Sequence, residues 1–123
     1  MRSAMTALLV LIPAAFSTAL RAADAPAEMR KRYVDAQQAA GAGIRLLQEK
    51  KFEEAIAKLQ EADKLVPGQG GVLYNLACAL SRAGRSEETL DALNRAIKAG
   101  FTDHKHMQAD PDLEAVRENK RFK

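Results

Sequence analysis

One cysteine, two histidines and 16 Asp and Glu residues are the groups in this 123-residue chain that could carry chemistry. Their spacing argues against most of it. A nucleophilic thiolate needs an activating base and a cationic setting, and no base stands near Cys78 in sequence. Its neighbours Leu76, Ala77, Ala79 and Leu80 mark it instead as a small buried helix residue. His104 and His106 lie two apart, so they face different ways on a helix. Metal-binding helices space their histidines three or four apart, and no third histidine or adjacent cysteine completes a site. Asp103, Asp110 and Asp112 do not keep the ligand spacing of a calcium loop and read as helix caps. With no paired acid and base, no nucleophile constellation and no phosphate-cradling glycine loop, the sequence reads as a non-enzyme with no metal and no cofactor.

The remaining candidates are residues for recognition. The Asn75 amide is able to donate to and accept from a peptide backbone at once, or to satisfy the helices around it. Tyr74 has the amphipathic shape of a packing residue whose hydroxyl stays in water.

Composition bounds the class further. Arg2 is followed by the apolar run Ala7-Leu8-Leu9-Val10-Leu11-Ile12-Pro13-Ala14-Ala15-Phe16 and then by small residues, the order of a secretory signal peptide. Ser17, Thr18 and Arg21 interrupt the run well short of the roughly 20 apolar residues a membrane span requires. Residues 1–22 are read as that signal, with cleavage somewhere in 19–27. The mature chain is expected to be exported to a bacterial periplasm, or else secreted or anchored by an uncleaved signal, with no stable membrane insertion after cleavage. Without Arg2 and Arg21 the 19 basic residues fall to 17 against 16 acidic ones, a net +1. With two tyrosines, four phenylalanines and no tryptophan besides, the chain has neither the cationic face nor the stacking platforms of a nucleic-acid binder. A single cysteine excludes an internal disulfide.

The elements that must position these residues follow from periodicity. Lys51-Phe52-Glu53-Glu54-Ala55-Ile56 through Lys64 matches Arg85-Ser86-Glu87-Glu88-Thr89-Leu90 through Lys98, and Ala62 to Ala96 is 96 − 62 = 34. Helical patterning repeated at that period marks stacked helix-turn-helix units. Tyr33, Ala36, Ala40, Gly43, Ile44 and Leu47 form the stripe of a first helix, whose early part is expected to cover an end of the stack. Phe52, Ala55, Ile56, Leu59, Ala62 and Leu65 face inward from a second helix ending at Val66-Pro67-Gly68. Leu73, Leu76, Ala77, Leu80 and Ala83 line a third, closed by Gly84. Ser86 is expected to cap a fourth that carries Leu90, Leu93, Ala96 and Ile97 to Gly100. Asp103 caps a short turn, and Asp110-Pro111-Asp112 starts a last helix through Leu113 and Val116. No useful alternation of period two appears, so the fold class is all-α.

Over Ala36 to Gly100 the order of small and large positions, with Pro67 closing the first unit, resembles the tetratricopeptide repeat family, and Tyr74 through Arg85 resembles it most. The ending Ala99-Gly100-Phe101, then Asp110-Pro111-Asp112-Leu113 and Arg121-Phe122, is similar to the terminal segment of bacterial arrays of that kind. The resemblance implies a short α-α superhelix of two repeats, 36–69 and 70–101, after a helical extension at 23–35 and before a capping segment at 102–123. It further implies a concave groove lined by Gln37, Ala40, Ile44 and Gln48 from the first unit and Tyr74, Asn75, Cys78, Ser81 and Arg82 from the second, of which Gln37, Gln48, Tyr74, Asn75, Ser81 and Arg82 are the candidate contacts. The expected role is an envelope adaptor that holds another protein or a peptide. The alternative is a structural or tethering subunit assembled through the ends of the stack. Arrays of this type usually need three or more units to bury a continuous core, so either the first and last helices act as caps or a second copy completes the stack as a homodimer.

Overall fold

The computed structural model describes residues 26–123, and among these the only regular elements are helices: α1 Pro26–Gln48, α2 Phe52–Leu65, α3 Gly70–Arg82, α4 Ser86–Lys98, α5 His104–Ala109 and a 3₁₀ helix Pro111–Val116. The proposed signal at 1–22 lies outside the described residues. The chain divides at Lys31 into two units, and Arg32–Lys123 is the one that carries the hairpins.

The hairpins close because small residues recur where helices cross. Ala36, Ala39, Ala40 and Gly43 form the buried stripe of α1. A Cβ on Gly43 would lie 2.6 Å from Leu59 Cγ and 3.3 Å from the Ala55 carbonyl oxygen of α2, so only glycine permits this approach. Ala62 and Ala96, equivalent by the repeat, are both fully buried. Helix α3 is the centre: it contacts α2, α4 and the 3₁₀ helix, and nine of its residues from Val72 to Ser81 are buried.

Three helices end in the same way. In α1, Lys51 N–H reaches back to Leu46 O at 2.8 Å and Lys50 N–H to Leu47 O at 3.1 Å; Arg85 and Gly84 do the same to Leu80 and Ser81, and Phe101 and Gly100 to Ala96 and Ile97. This paired closure needs a left-handed residue after the helix. Gly84 and Gly100 supply it at φ 79° and 101°, whereas α1 uses Lys50 at φ 64°. Exposed ion pairs then join one hairpin to the next: Arg85 to Glu53 at 3.1 Å and Arg95 to Asp63 at 2.7 Å.

Several local expectations need correction. Ser86 is the first residue of α4 rather than its cap; Arg85 holds the cap position without a side-chain bond, and its carbonyl accepts from the Thr89 hydroxyl at 2.8 Å. Tyr33 and Val34, expected to cover an end of the stack, are half exposed at 53% and 50%. Tyr33 continues the small-residue stripe one turn ahead of Ala36, its first buried member, while Val34 faces another side of α1. The Asp110-Pro111 start signal produces a 3₁₀ helix rather than an α-helix.

Candidate binding surface

Residues of α3 expected to line an open groove are largely covered by the chain itself. Tyr74 and Cys78, one turn apart, point at the segment after α4. Phe101 stacks on the Tyr74 ring with centroids 4.3 Å apart and planes 8° from parallel. The Tyr74 hydroxyl donates to Asp110 Oδ2, the Cys78 thiol donates to the same oxygen at 3.8 Å, and His106 Nε2 lies 3.2 Å from it. Asp110 Oδ1 meanwhile accepts from the Asp112 N–H at 2.9 Å. Burial is the main cause that pushes the Tyr74 phenol and the Cys78 thiol well above their ordinary values; for Tyr74 the Asp110 hydrogen bond adds to it, and for Cys78 the Asp110 charge does. Both shifts favour the protonated forms, the opposite of the lowered value that activates a nucleophilic thiol.

Cys78, Asp110 and Asp112 each bring one possible ligand atom within 4.8 Å of the others. Their chemistry does not suit a cation. The thiol is held protonated, Asp110 already accepts hydrogens at both oxygens, and Asp112 is paired with Arg82 at 2.8 Å.

The six candidate contacts are consequently spread over different settings. Tyr74 is buried and its hydroxyl is bonded rather than in water. Ser81 is buried, and its hydroxyl makes no hydrogen bond among the described residues. Asn75 is partly buried, and Gln37 donates to Gln69 Oε1 at 3.4 Å on the exposed side of α1. Gln48 and Arg82 do come together. With Ile44, Leu47, Lys50 and Asp112 they line one shallow open depression of about 360 Å³. Its surface is more polar than apolar, and Ile44, 37% exposed, and Leu47 are its apolar residues. Arg82 is fixed at its edge by Asp112 and by the Phe52 ring, whose centroid lies 4.8 Å from its guanidinium carbon.

Asp112 and Lys50 are not legible in the sequence as parts of this surface. Asp112 reads as a local helix-start residue, and only folding 30 residues of chain back onto α3 brings it to Arg82. Lys50 does carry a signal: it stands where the next unit has Gly84, since 84 − 50 = 34.

Fold and surface together define a small all-α helical-hairpin domain whose C-terminal segment seals the middle helix. The chain belongs to the A/B hydrolase-like, N-terminal domain family, whose model matches residues 37–123. It is also 35% identical over 83 residues to a chloroplastic protein of Arabidopsis thaliana, an alignment covering 65% of this chain and 25% of that protein. The chain thus spans about a quarter of the length of the curated relative it matches. No solved structure matches it.

These matches correct two expectations. The tetratricopeptide assignment gives way to the A/B hydrolase-like N-terminal domain family. The physical reason is that small residues recurring at helix crossings with a period in the thirties report stacked helical hairpins, so they fix an architecture without fixing a family. The bacterial periplasmic setting, with its secreted and anchored variants, is overturned as well, because the curated relative is a chloroplastic plant protein. Among the described residues no helix is long and apolar enough to cross a membrane.

Proposed function

We propose that this chain is a non-enzymatic protein-interaction module that holds a segment of a partner protein in the depression between α1 and α3. The observation that carries this reading is the convergence of Ile44, Gln48 and Arg82 from successive hairpins on one open surface, where two apolar side chains stand among polar and charged ones. Convergent polar groups beside apolar side chains can fix the orientation of a bound group. Membership of a family described as the N-terminal domain of A/B hydrolase-like proteins supports an accessory role of this kind. A second reading, assembly through the end of the stack, is favoured by a cleft where Ile97, 43% exposed, lies beside Leu93, Met107 and Phe122; a second copy of this chain is one such occupant.

Site-specific photo-crosslinking tests the choice. A photoreactive residue at Gln48 is expected to trap a partner that the same residue at Gln60, on the outer face of α2, does not. The adduct should disappear in Ile44→Asp. Crosslinks confined to Asn94, in the stack-end cleft, would move the function there, and equal trapping at every position would remove both readings.

A further inference from the structure

Lys50 is a non-glycine residue with left-handed backbone among the described residues, and it stands on the rim of the depression rather than in an unrelated turn. A side chain with a Cβ is disfavoured in that conformation relative to right-handed backbone, and the same helix closure elsewhere in this chain uses Gly84 and Gly100. Strained backbone of this sort clusters at functional sites. The turn geometry makes no use of the lysine side chain. Its ammonium is exposed and has no ion-pair partner among the described residues, in contrast to Lys51, which pairs with Glu49 at 3.6 Å, and Arg82, which pairs with Asp112.

Lys50 is therefore the uncompensated charge of the depression. The charges lining it are Lys50, Arg82 and Asp112, and the latter two neutralise one another. Beside Lys50 lie the exposed Gln48 amide and the Ile44 and Leu47 side chains. A neutral peptide would leave the ammonium without a partner, and a basic one would be repelled. Resting on the partner-binding function proposed above, we propose that Lys50 is the specificity-determining residue of this surface and that its ligand is an extended acidic segment of a partner protein, one carboxylate meeting the ammonium while a neighbouring apolar side chain covers Ile44 and Leu47.

The probes are two fluorescent ten-residue peptides, one alternating leucine with glutamate and one alternating leucine with glutamine, titrated with the full chain. The glutamate peptide should bind about fivefold more tightly at low salt, with the margin narrowing as salt rises, as for a partly exposed ion pair. Lys50→Gly should abolish that margin while the thermal midpoint stays level or rises, since glycine relieves the backbone. Lys98→Ala, which removes an exposed cation from α4, should leave the margin intact. Equal binding of both peptides, a margin that survives Lys50→Gly, or no binding of either peptide would overturn the assignment. The crosslinking at Gln48 judges the underlying function separately: a partner trapped there that ignores Lys50→Gly leaves the module reading in place and removes only the acidic ligand.

Discussion

The two oxygens of Asp110 are committed to different tasks, one ending a helix start and the other holding α3. Oδ1 takes the Asp112 N–H, while Oδ2 takes the Tyr74 hydroxyl and the Cys78 thiol in a buried setting. Removing the phenolic donor leaves a buried carboxylate short of a partner, so Tyr74→Phe should cost about 1–3 kcal/mol in urea unfolding. The slope of the transition should not change, because the area exposed on unfolding is the same. The same pair gives a pH dependence with a definite sign. Tyr74 and Cys78 keep their protons in the fold to higher pH than in the unfolded chain, whose ordinary values are 10.0 and 9.0. Their stabilisation is complete below those values and is lost as pH climbs beyond them, because the folded state then binds more protons than the unfolded one. Urea midpoints should thus fall between about pH 9 and 11, and Cys78→Ala should delay the onset toward the tyrosine range. A profile that stays flat to about pH 11 would contradict the buried, protonated thiol and phenol.

At the scale of the helix the decisive positions are small. Gly43 and Gly41 lie on the same helix, yet a Cβ at Gly43 meets Leu59 at 2.6 Å, whereas one at Gly41 meets only the flexible Arg45 side chain at 4.0 Å. Leu59 is fully buried and has no room to move aside. Overpacking of this kind costs about 1–3 kcal/mol, against roughly 1 kcal/mol gained from better helix propensity. Gly43→Ala should therefore lower the melting temperature and Gly41→Ala should raise it, a contrast that differential scanning calorimetry reads directly. This is also where the sequence is most informative. The 34-residue offset places Ala62 and Ala96 correctly, and the acidic first turns at Glu53-Glu54 and Glu87-Glu88 mark two helix starts. Local signals of this kind repeat wherever the same hairpin repeats. What they cannot reveal is the fate of the α3 face, because Asp110-Pro111-Asp112 has a sufficient local explanation as a helix start and nothing in it announces the second use of the Asp110 carboxylate. The family resemblance sets Arg82 and Tyr74 in a groove for a partner protein; in the fold they bond to Asp112 and Asp110 of the same chain.

Across the whole domain, the segment after α4 takes the place of a further hairpin. Met107, Leu113 and Val116 enter the core that α3 and α4 begin, and Leu113 is fully buried. Arg121 bridges Glu87 at 2.9 Å and Asp91 at 2.6 Å on the outside, much as Arg85 reaches Glu53 one unit earlier. The apolar and ionic parts of this seal should differ sharply in weight. Exposed ion pairs add little because water already solvates both partners, whereas a buried leucine cut to alanine loses transfer energy and leaves a cavity, together about 2–5 kcal/mol. For a domain whose total stability is of order 5–15 kcal/mol, Leu113→Ala should cut the unfolding midpoint steeply, while Arg121→Ala should leave it close to the parent value. Deleting residues 101–123 removes both parts along with the Asp110 carboxylate. It also uncovers Tyr74 and Cys78, so the shortened chain should lose its cooperative melt by circular dichroism while retaining helical signal. If the deletion instead melted as sharply as the full chain, the hairpins would be self-sufficient, and the C-terminal segment would be a passenger on α3 rather than the element that completes its core.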